Sequence, residues 1–382
     1  LKILYLTFES RVKDPIIESQ VVSLIEEITK TNDNDFTLIS FGISSFVKKN
    51  NRLVNYEKIN RGFALNTIYL FFYLLKNANK FDIIHVRSYL PMIAVIYCKL
   101  FRKMKIIFDP RGVYPEEIFY LFKKKNIAYY IFAWNERFFC KFSDAIIVVS
   151  QKFKDFYLKK YNLNERKIFV IPTFCQELSV FNNKENILEI NLKRDFFHNE
   201  SSMIFGFSGS YGNWQLTDFV FDFFNLVQDN IENAVFVIFS KEEEAFKQKF
   251  MSMNFSKECF FVKSLNKLEM RRYMKQIDYG ILFRDNDVVN QVAAPIKVKD
   301  YLSSGVPIIM TPNIGDDSQF IVDYKIGYII EDLTPTSMLK VINEIKNKKL
   351  QIDKDKLINL SQQVFGVKVV ANHTQDVYSF IK

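Results

Sequence analysis

The sequence predicts an α/β protein of two doubly wound, Rossmann-like domains that face each other across a cleft. Three observations carry that expectation. Short, almost wholly apolar runs of strand length recur along the chain, segments of helical spacing separate them, and the alternation restarts after a polar stretch at residues 176–202. Near-continuous apolar strands joined by helices mean parallel sheets covered on both faces. At 382 residues the chain is too long for one ordinary core and suits two domains of about 150 to 200 residues.

In order, the first half is expected to place strands at 2–7, 36–41, 82–86, 105–108, 145–149 and 168–171. Helical segments at 19–30, 67–77, 91–101 and 127–142 lie between them. The second half places strands at 203–208, 234–239, 259–262, 279–283, 307–310 and 327–330, again with helices between. This sets domains at 1–175 and 176–361. Residues 362–382 have a helical pattern with no strand after it, so periodicity leaves that segment able to pack on either domain.

Hydrophobic residues at 48% and charged residues at 25% mark a soluble globular protein. Cys98, Cys140, Cys175 and Cys259 form no CxxC pair, and His85, His198 and His373 are equally scattered. That spacing argues against a structural metal or a disulfide framework and fits a reducing cytoplasm. The chain opens directly into a strand, so no signal peptide is expected. The longest apolar runs, 63–75 and 89–100, contain polar residues and fall short of the roughly 20 needed to cross a bilayer. Charge is uneven: residues 1–175 hold 28 Lys and Arg against 16 Asp and Glu, and the remainder 24 against 27. Such a basic half suits a solvated surface, an anionic membrane or a diphosphate-bearing acceptor. Nucleic acid fits least, because no helix-turn-helix, zinc-finger or RNP pattern accompanies the charge.

In open α/β sheets ligands bind beyond the carboxyl ends of the strands. One such end, residues 284–307, runs from Arg284 through a polar loop to Ala294-Pro-Ile-Lys297, Asp300 and Gly305. Pro295 is expected at the first helical position and Gly305 just past the helix end. That construction aims backbone N–H groups and a helix dipole at a phosphate, and Lys297 is expected to add a full positive charge there. Other strand ends carry Thr7 to Pro15 leading towards Ser19, then His85-Val-Arg87, Asp109-Pro-Arg111-Gly112, Ser150, and Ser208-Gly209-Ser210 with Trp214. His85 suits either a carbonyl cap or a site group. Asp109 before Pro110 suits a turn or, with Arg111 on a glycine-containing loop, chemistry. Without a Gly-x-Gly-x-x-Gly or Walker pattern, Ser208 to Ser210 only suggests phosphate binding.

These pieces, with Asp14-Pro15, Thr37-Leu-Ile-Ser-Phe41, Ser143-Asp-Ala-Ile-Ile-Val148, Asp300-Tyr-Leu-Ser-Ser-Gly-Val-Pro-Ile308 and Gly315-Asp316, resemble the glycosyltransferase family 4 group in the same order over nearly the whole chain. The resemblance implies a GT-B fold and transfer of a hexosyl or N-acetylhexosaminyl group, with retention, from a nucleotide diphosphate sugar, UDP-linked by expectation. The acceptor it implies is lipid-linked or a growing polysaccharide in cell-surface glycan assembly such as lipopolysaccharide or capsule, at the inner face of the cell membrane. It implies no metal cofactor and a last helix, 362–382, that crosses back to the N-terminal domain. Residue by residue, it assigns catalysis to Asp109, Arg111 and Lys297. Donor binding falls to Ser208, Gly209, Ser210, Arg284, Ala294, Pro295, Ile296 and Asp300, the last holding the ribose. Ser19, His85 and Arg87 lie on the acceptor side.

The sequence also departs from that pattern. Val292 stands where the family commonly has a Glu, residues 210–216 offer no Arg and Lys pair, and Ile16-Ile17 replaces a paired Gly. Two alternatives therefore remain: a catalytically silent nucleotide-sugar-binding subunit, and a GT-B-fold nucleotide-sugar epimerase, for which three His are few.

Overall fold

The structure is a computed structural model that describes residues 1–10, 15–175 and 191–382. Asp14 of the first loop and residues 176–190 of the polar stretch lie outside the described residues. The chain divides into two units: Leu1–Gln176 with Gln291–Ala293 and Phe365–Lys382, and Glu177–Asn290 with Ala294–Val364.

The first unit is built on one sheet of eight strands: β1 (Lys2–Leu6), β2 (Asp35–Gly42), β3 (Phe46–Asn50), β4 (Leu53–Ile59), β5 (Ile83–Arg87), β6 (Ile106–Asp109), β7 (Ala145–Val148) and β8 (Ile168–Val170). Their order is β3-β4-β2-β1-β5-β6-β7-β8, parallel throughout except where β3 meets β4. Strands β5, β6 and β7 are buried at every residue, as their mostly apolar sequences require when helices cover both faces, with His85, Arg87 and Asp109 the polar exceptions towards the strand ends. The hairpin β3–β4 was not expected from the sequence. Its tight turn puts Asn51 at φ 45°, a left-handed conformation that Asn adopts readily. Along β4 only alternate residues, Leu53, Asn55 and Glu57, are buried, so no apolar run announces the strand.

Helical boundaries also differ from the periodic reading. The segment expected at 19–30 starts as a single turn, Pro15–Ile17, passes through a π-helical turn, Glu18–Val22, and continues as Ser23–Thr31. Residues 362–382 are two elements rather than one. The Lys354–Phe365 helix ends before Gly366, and a separate helix, Val367–Ile381, then begins. Val370, Val377 and Tyr378 of that helix join Ile25 and Ile28 in the core of the first unit.

The second unit holds β9 (Met203–Ser208), β10 (Ala234–Phe239), β11 (Phe260–Lys263), β12 (Tyr279–Leu282), β13 (Ile308–Met310) and β14 (Gly327–Ile329). All pair in parallel, in the order β11-β10-β9-β12-β13-β14. Phenylalanine fills its core: Phe221, Phe224, Phe236, Phe250 and Phe260 pack together, with the rings of Phe250 and Phe260 stacked at 4.3 Å. The strand order reverses between β1 and β5 in one unit and between β9 and β12 in the other. Those reversals are the topological switch points where α/β sheets bind ligands.

Two glycines set the depth of one helix. Gly206 and Gly280 are register partners on β9 and β12. A Cβ on Gly280 would lie 2.7 Å from the Tyr301 ring, so glycine there lets the Ile296–Ser303 helix sit directly on the sheet. Tyr301 Oη then donates to the Gly206 carbonyl at 3.3 Å.

Candidate functional site

In the second unit the switch point gathers three loops. Ser208 ends β9 with Gly209 and Ser210 after it, Arg284 follows β12, and Lys297 lies in the first turn of the Ile296–Ser303 helix. Pro295 is the N-cap of that helix, at φ −60° and ψ 127°, rather than its first helical residue. Its carbonyl closes the first turn by accepting from the Val298 N–H at 3.2 Å. Gly305 takes φ 74°, the left-handed conformation that ends a helix without a Cβ penalty.

The side chains converge on Gln215. Its Oε1 accepts from Lys297 Nζ at 2.9 Å and from Arg284 Nη1 at 2.7 Å, while Arg284 Nη1 also donates to the Trp214 carbonyl at 2.8 Å. The Arg284 backbone is fixed by Thr311, which accepts from its N–H and donates to its carbonyl, each at 2.9 Å. Gly209 makes the approach possible: a Cβ there would stand 2.5 Å from Lys297 Nζ. Asp300 is half-buried on the next turn of the helix. Ala294 and Ile296, also half-buried, flank the cap, and Ser210 is exposed.

Two cations sharing one neutral amide oxygen have an electrostatic cost. Burial, then the like charge of Arg284, push the Lys297 ammonium down to about 7, against the opposing pull of Asp300. The positive charge expected of Lys297 from the sequence therefore comes at a cost in the unliganded protein, one that a bound anion would relieve. Deeper in the same helix, Lys299 and Asp317 form a buried pair, Nζ to Oδ2 at 2.6 Å, which ties it to the start of the Asp317–Tyr324 helix.

In the first unit His85 and Arg87 end β5 and Asp109 ends β6. All three are buried. His85 Nδ1 meets Tyr378 Oη at 2.9 Å, and its Nε2 faces Asp109 Oδ2 at 3.6 Å, beyond hydrogen-bond length. Burial lowers the His85 pKa more than Asp109 raises it, so the ring is neutral at pH 7. Burial alone would raise the Asp109 pKa, but Arg111, His85 and Arg87 together hold it below the usual carboxylate range. Arg87 Nε donates to Glu9 at 3.0 Å, and Arg111 stands 3.4 Å from Asp109.

Arg111 takes φ 64°, unusual for a non-glycine residue. The loop is held from below by a buried cluster in which Tyr89 Oη donates to Glu136 and lies 3.0 Å from the Gly112 carbonyl. Glu136 also accepts from Tyr157 at 2.9 Å and Lys160 at 3.1 Å.

A cavity of ≈ 20 Å³ lies among His85, Arg87, Asp109, Arg111, Gln20 and Tyr5. That is room for about one water. Ser19 is not brought to it; its hydroxyl bonds the Ile16 carbonyl at 3.3 Å within its own helix. The neighbouring Gln20 lines the cavity instead, donating to the Phe174 carbonyl at 2.9 Å. Val292 is buried, and its carbonyl accepts from Ser150 Oγ at 2.7 Å. Gln215, Gln20 and Glu9 were missed from the sequence. Gln215 lies 69 and 82 residues from its two partners, a juxtaposition no local pattern encodes.

Comparison with known proteins agrees with this geometry. The family profile described as Glycosyltransferase Family 4 matches residues 17–175, and that described as Glycosyl transferases group 1 matches residues 189–363. No curated protein matches the sequence. Among solved structures, sucrose-phosphate synthase from Thermosynechococcus elongatus superposes with a TM-score of 0.74 at 10% identity, over 99% of this chain and 98% of that one. Anabaena HepE in complex with UDP and glucose superposes at 0.70 and 12%, over 99% of each chain. WaaG, a glycosyltransferase involved in lipopolysaccharide biosynthesis, superposes at 0.66 and 12%, over 99% of this chain and 97% of that one. At such identities these likenesses speak for the fold, two parallel-sheet Rossmann-like domains of GT-B type. With a glycosyltransferase profile on each half, the chain belongs to the GT-B glycosyltransferase superfamily.

Proposed function

We propose that the protein is a retaining glycosyltransferase that moves a hexosyl or N-acetylhexosaminyl group from a UDP-linked sugar to a lipid-linked or growing polysaccharide acceptor, in assembly of a cell-surface glycan such as lipopolysaccharide at the cytoplasmic face of the membrane. The observation that carries the reading is the cluster of Lys297, Arg284 and Gln215 at the head of a helix, with the Lys297 pKa driven down to about 7. A half-buried cation held below its ordinary pKa gains its charge back when a diphosphate binds, so the site favours that ligand. The UDP complex of HepE, a protein of the same fold, supports the choice of donor.

The chemistry follows from charge. As the bond from the anomeric carbon to the diphosphate oxygen breaks, the electron pair leaves with the phosphate and positive charge grows on the sugar. The acceptor hydroxyl oxygen forms the new bond and passes its proton to the departing diphosphate oxygen. A site for this needs fixed donors on the leaving group more than it needs a nucleophile. Lys297, the backbone N–H groups of Ala294, Ile296 and Lys297 on either side of the Pro295 cap, and the Ser208–Ser210 turn act on the diphosphate. Asp300 accepts from the ribose hydroxyls. Asp109, ionised and next to Arg111, serves the reacting sugar, with neutral His85 and Arg87 on the acceptor side. Because Lys297 and Arg284 supply the positive charge, transfer is expected to persist in EDTA.

The test is calorimetric titration of uridine, guanosine and adenosine diphosphates, followed by incubation of the matching nucleotide sugars with lipid-linked acceptors. Binding of one nucleotide with acceptor-dependent transfer supports the reading. Failure to bind any of the three removes it, and binding without transfer or hydrolysis across the donor panel favours a silent subunit.

A further inference from the structure

The last helix, Val367–Ile381, packs where the first unit keeps its charged cluster. Val370 and Thr374 line the small cavity beside His85 and Asp109, and one turn further on Tyr378 meets the imidazole. Tyr378 is 1% exposed and His85 2%. Two rings hold the imidazole: that of Tyr5 at 4.3 Å between centroids, and that of Tyr378 at 5.8 Å, edge to face. A segment that follows the whole second unit in the chain thus forms the back wall of a cluster in the first.

Buried polar groups are paired, and that requirement decides where the imidazole proton sits. Burial raises the Tyr378 pKa well above the usual phenol range, so its hydroxyl keeps its proton. A neutral ring then has two arrangements. With the proton on Nδ1, that N–H donates to Tyr378 Oη, the phenol proton meets no acceptor among the described residues, and the Nε2 lone pair opposes the ionised Asp109 carboxylate at 3.6 Å. With the proton on Nε2, Tyr378 Oη donates to Nδ1 at 2.9 Å and the Nε2–H is aimed at Asp109 Oδ2. The second arrangement satisfies the phenol and sets unlike charges together.

We propose that Tyr378 is a positioning residue for the transfer reaction. Its hydroxyl donates to Nδ1 and so locks His85 as the Nε2–H tautomer, with that N–H turned to Asp109 Oδ2 while Arg111 stands at Oδ1. The carboxylate is then oriented from both sides, as suits a negative charge that serves a sugar becoming positive. Without the hydroxyl, Nδ1 has no donor and the ring is free to turn about Cβ–Cγ, which brings a C–H to the carboxylate in place of the N–H. The effect on rate rests on the transferase reading; the tautomer rests on geometry alone.

The test is proton–nitrogen correlation NMR of the full chain with isotope-labelled histidine at pH 7, read beside steady-state kinetics. His85→Gln identifies the His85 signals among those of three histidines. The parent is expected to show Nδ1 unprotonated and Nε2 protonated. In Tyr378→Phe the two nitrogen signals should average towards each other and kcat should fall roughly 10-fold, the worth of about one hydrogen bond in the reacting complex. Donor KM and UDP affinity should stay at the parent level, since the nucleotide cluster lies in the other unit. Val377→Ala, in the same helix and core, should lower the unfolding midpoint while leaving the nitrogen signals and kcat alone, which separates lost packing from the lost hydroxyl. A protonated Nδ1 in the parent overturns the proposal, as does a Tyr378→Phe protein that keeps the parent's nitrogen signals or its kcat, or an equal change from Val377→Ala. If the parent transfers no sugar, the transferase reading falls, and the nitrogen signals still decide the tautomer.

Discussion

The two switch points hold clusters of similar composition that are balanced in opposite ways. In the first unit Asp109 and Glu9 stand against Arg87 and Arg111, and the acid is held ionised while His85 stays neutral. In the second unit Lys297 and Arg284 share a neutral amide, and the lysine is pushed down to about 7. A cluster that satisfies itself contributes to the fold and presents a fixed surface. A cluster that does not is waiting for charge from outside, at a cost to the unliganded protein.

The contrast can be broken by removing one charge from each side. Asp109→Ala leaves buried guanidinium groups facing each other and is expected to cost about 3 kcal/mol in urea unfolding. Lys297→Ala is expected to leave stability unchanged or higher, because it removes a cation that folding desolvates. Equal destabilisation by the two substitutions would erase the distinction between the clusters.

A finer test uses space rather than charge. Gly209→Ala puts a methyl group 2.5 Å from Lys297 Nζ and must displace it from Gln215. The expected outcome is roughly tenfold weaker nucleotide binding, read by calorimetry, from misplacement of one charge-assisted contact. Affinity untouched by the methyl group would mean that Lys297 does not need its present position.

Proton linkage sharpens the comparison next. Since Lys297 titrates near 7 in the free protein and binding an anion raises that value, nucleotide binding above neutrality takes up a proton. Affinity should therefore fall from about pH 7 to pH 9, by up to ~10-fold for each unit, and Lys297→Arg should flatten the slope. The smallest effect belongs to the other unit. The folded pKa of His85 is depressed, so below its unfolded value the unfolded chain binds more protons. Stability should decline as pH falls below about 6.5, and His85→Gln should reduce that decline; an unaltered decline would show that His85 is not buried as neutral imidazole.

Much of the fold was legible because a parallel strand buried on both faces is apolar at most of its residues. Strands β9 and β10 stand at the expected bounds for that reason. The β3–β4 hairpin was not legible, since only alternate residues of β4 face the core and two of them, Asn55 and Glu57, are polar. Around the candidate site, Pro295, Lys297 and Gly305 could be placed from local rules about helix ends. Gln215 could not, because its importance comes from meeting Arg284 and Lys297 across the switch point. The lowered pKa of Lys297 was not legible for the same reason: it depends on burial and on Arg284, neither visible along the sequence. Glu136 reads as one acid in an aromatic helix, yet it anchors the tyrosines beneath the Arg111 loop.

The most direct measurement is calorimetric titration of UDP into the parent protein and Lys297→Ala at pH 7, with urea unfolding of each. The account predicts binding by the parent, affinity at least ~100-fold weaker in the variant from loss of a charge-assisted diphosphate contact, and an unfolding midpoint that does not fall. Equal UDP affinity in the two proteins would contradict it.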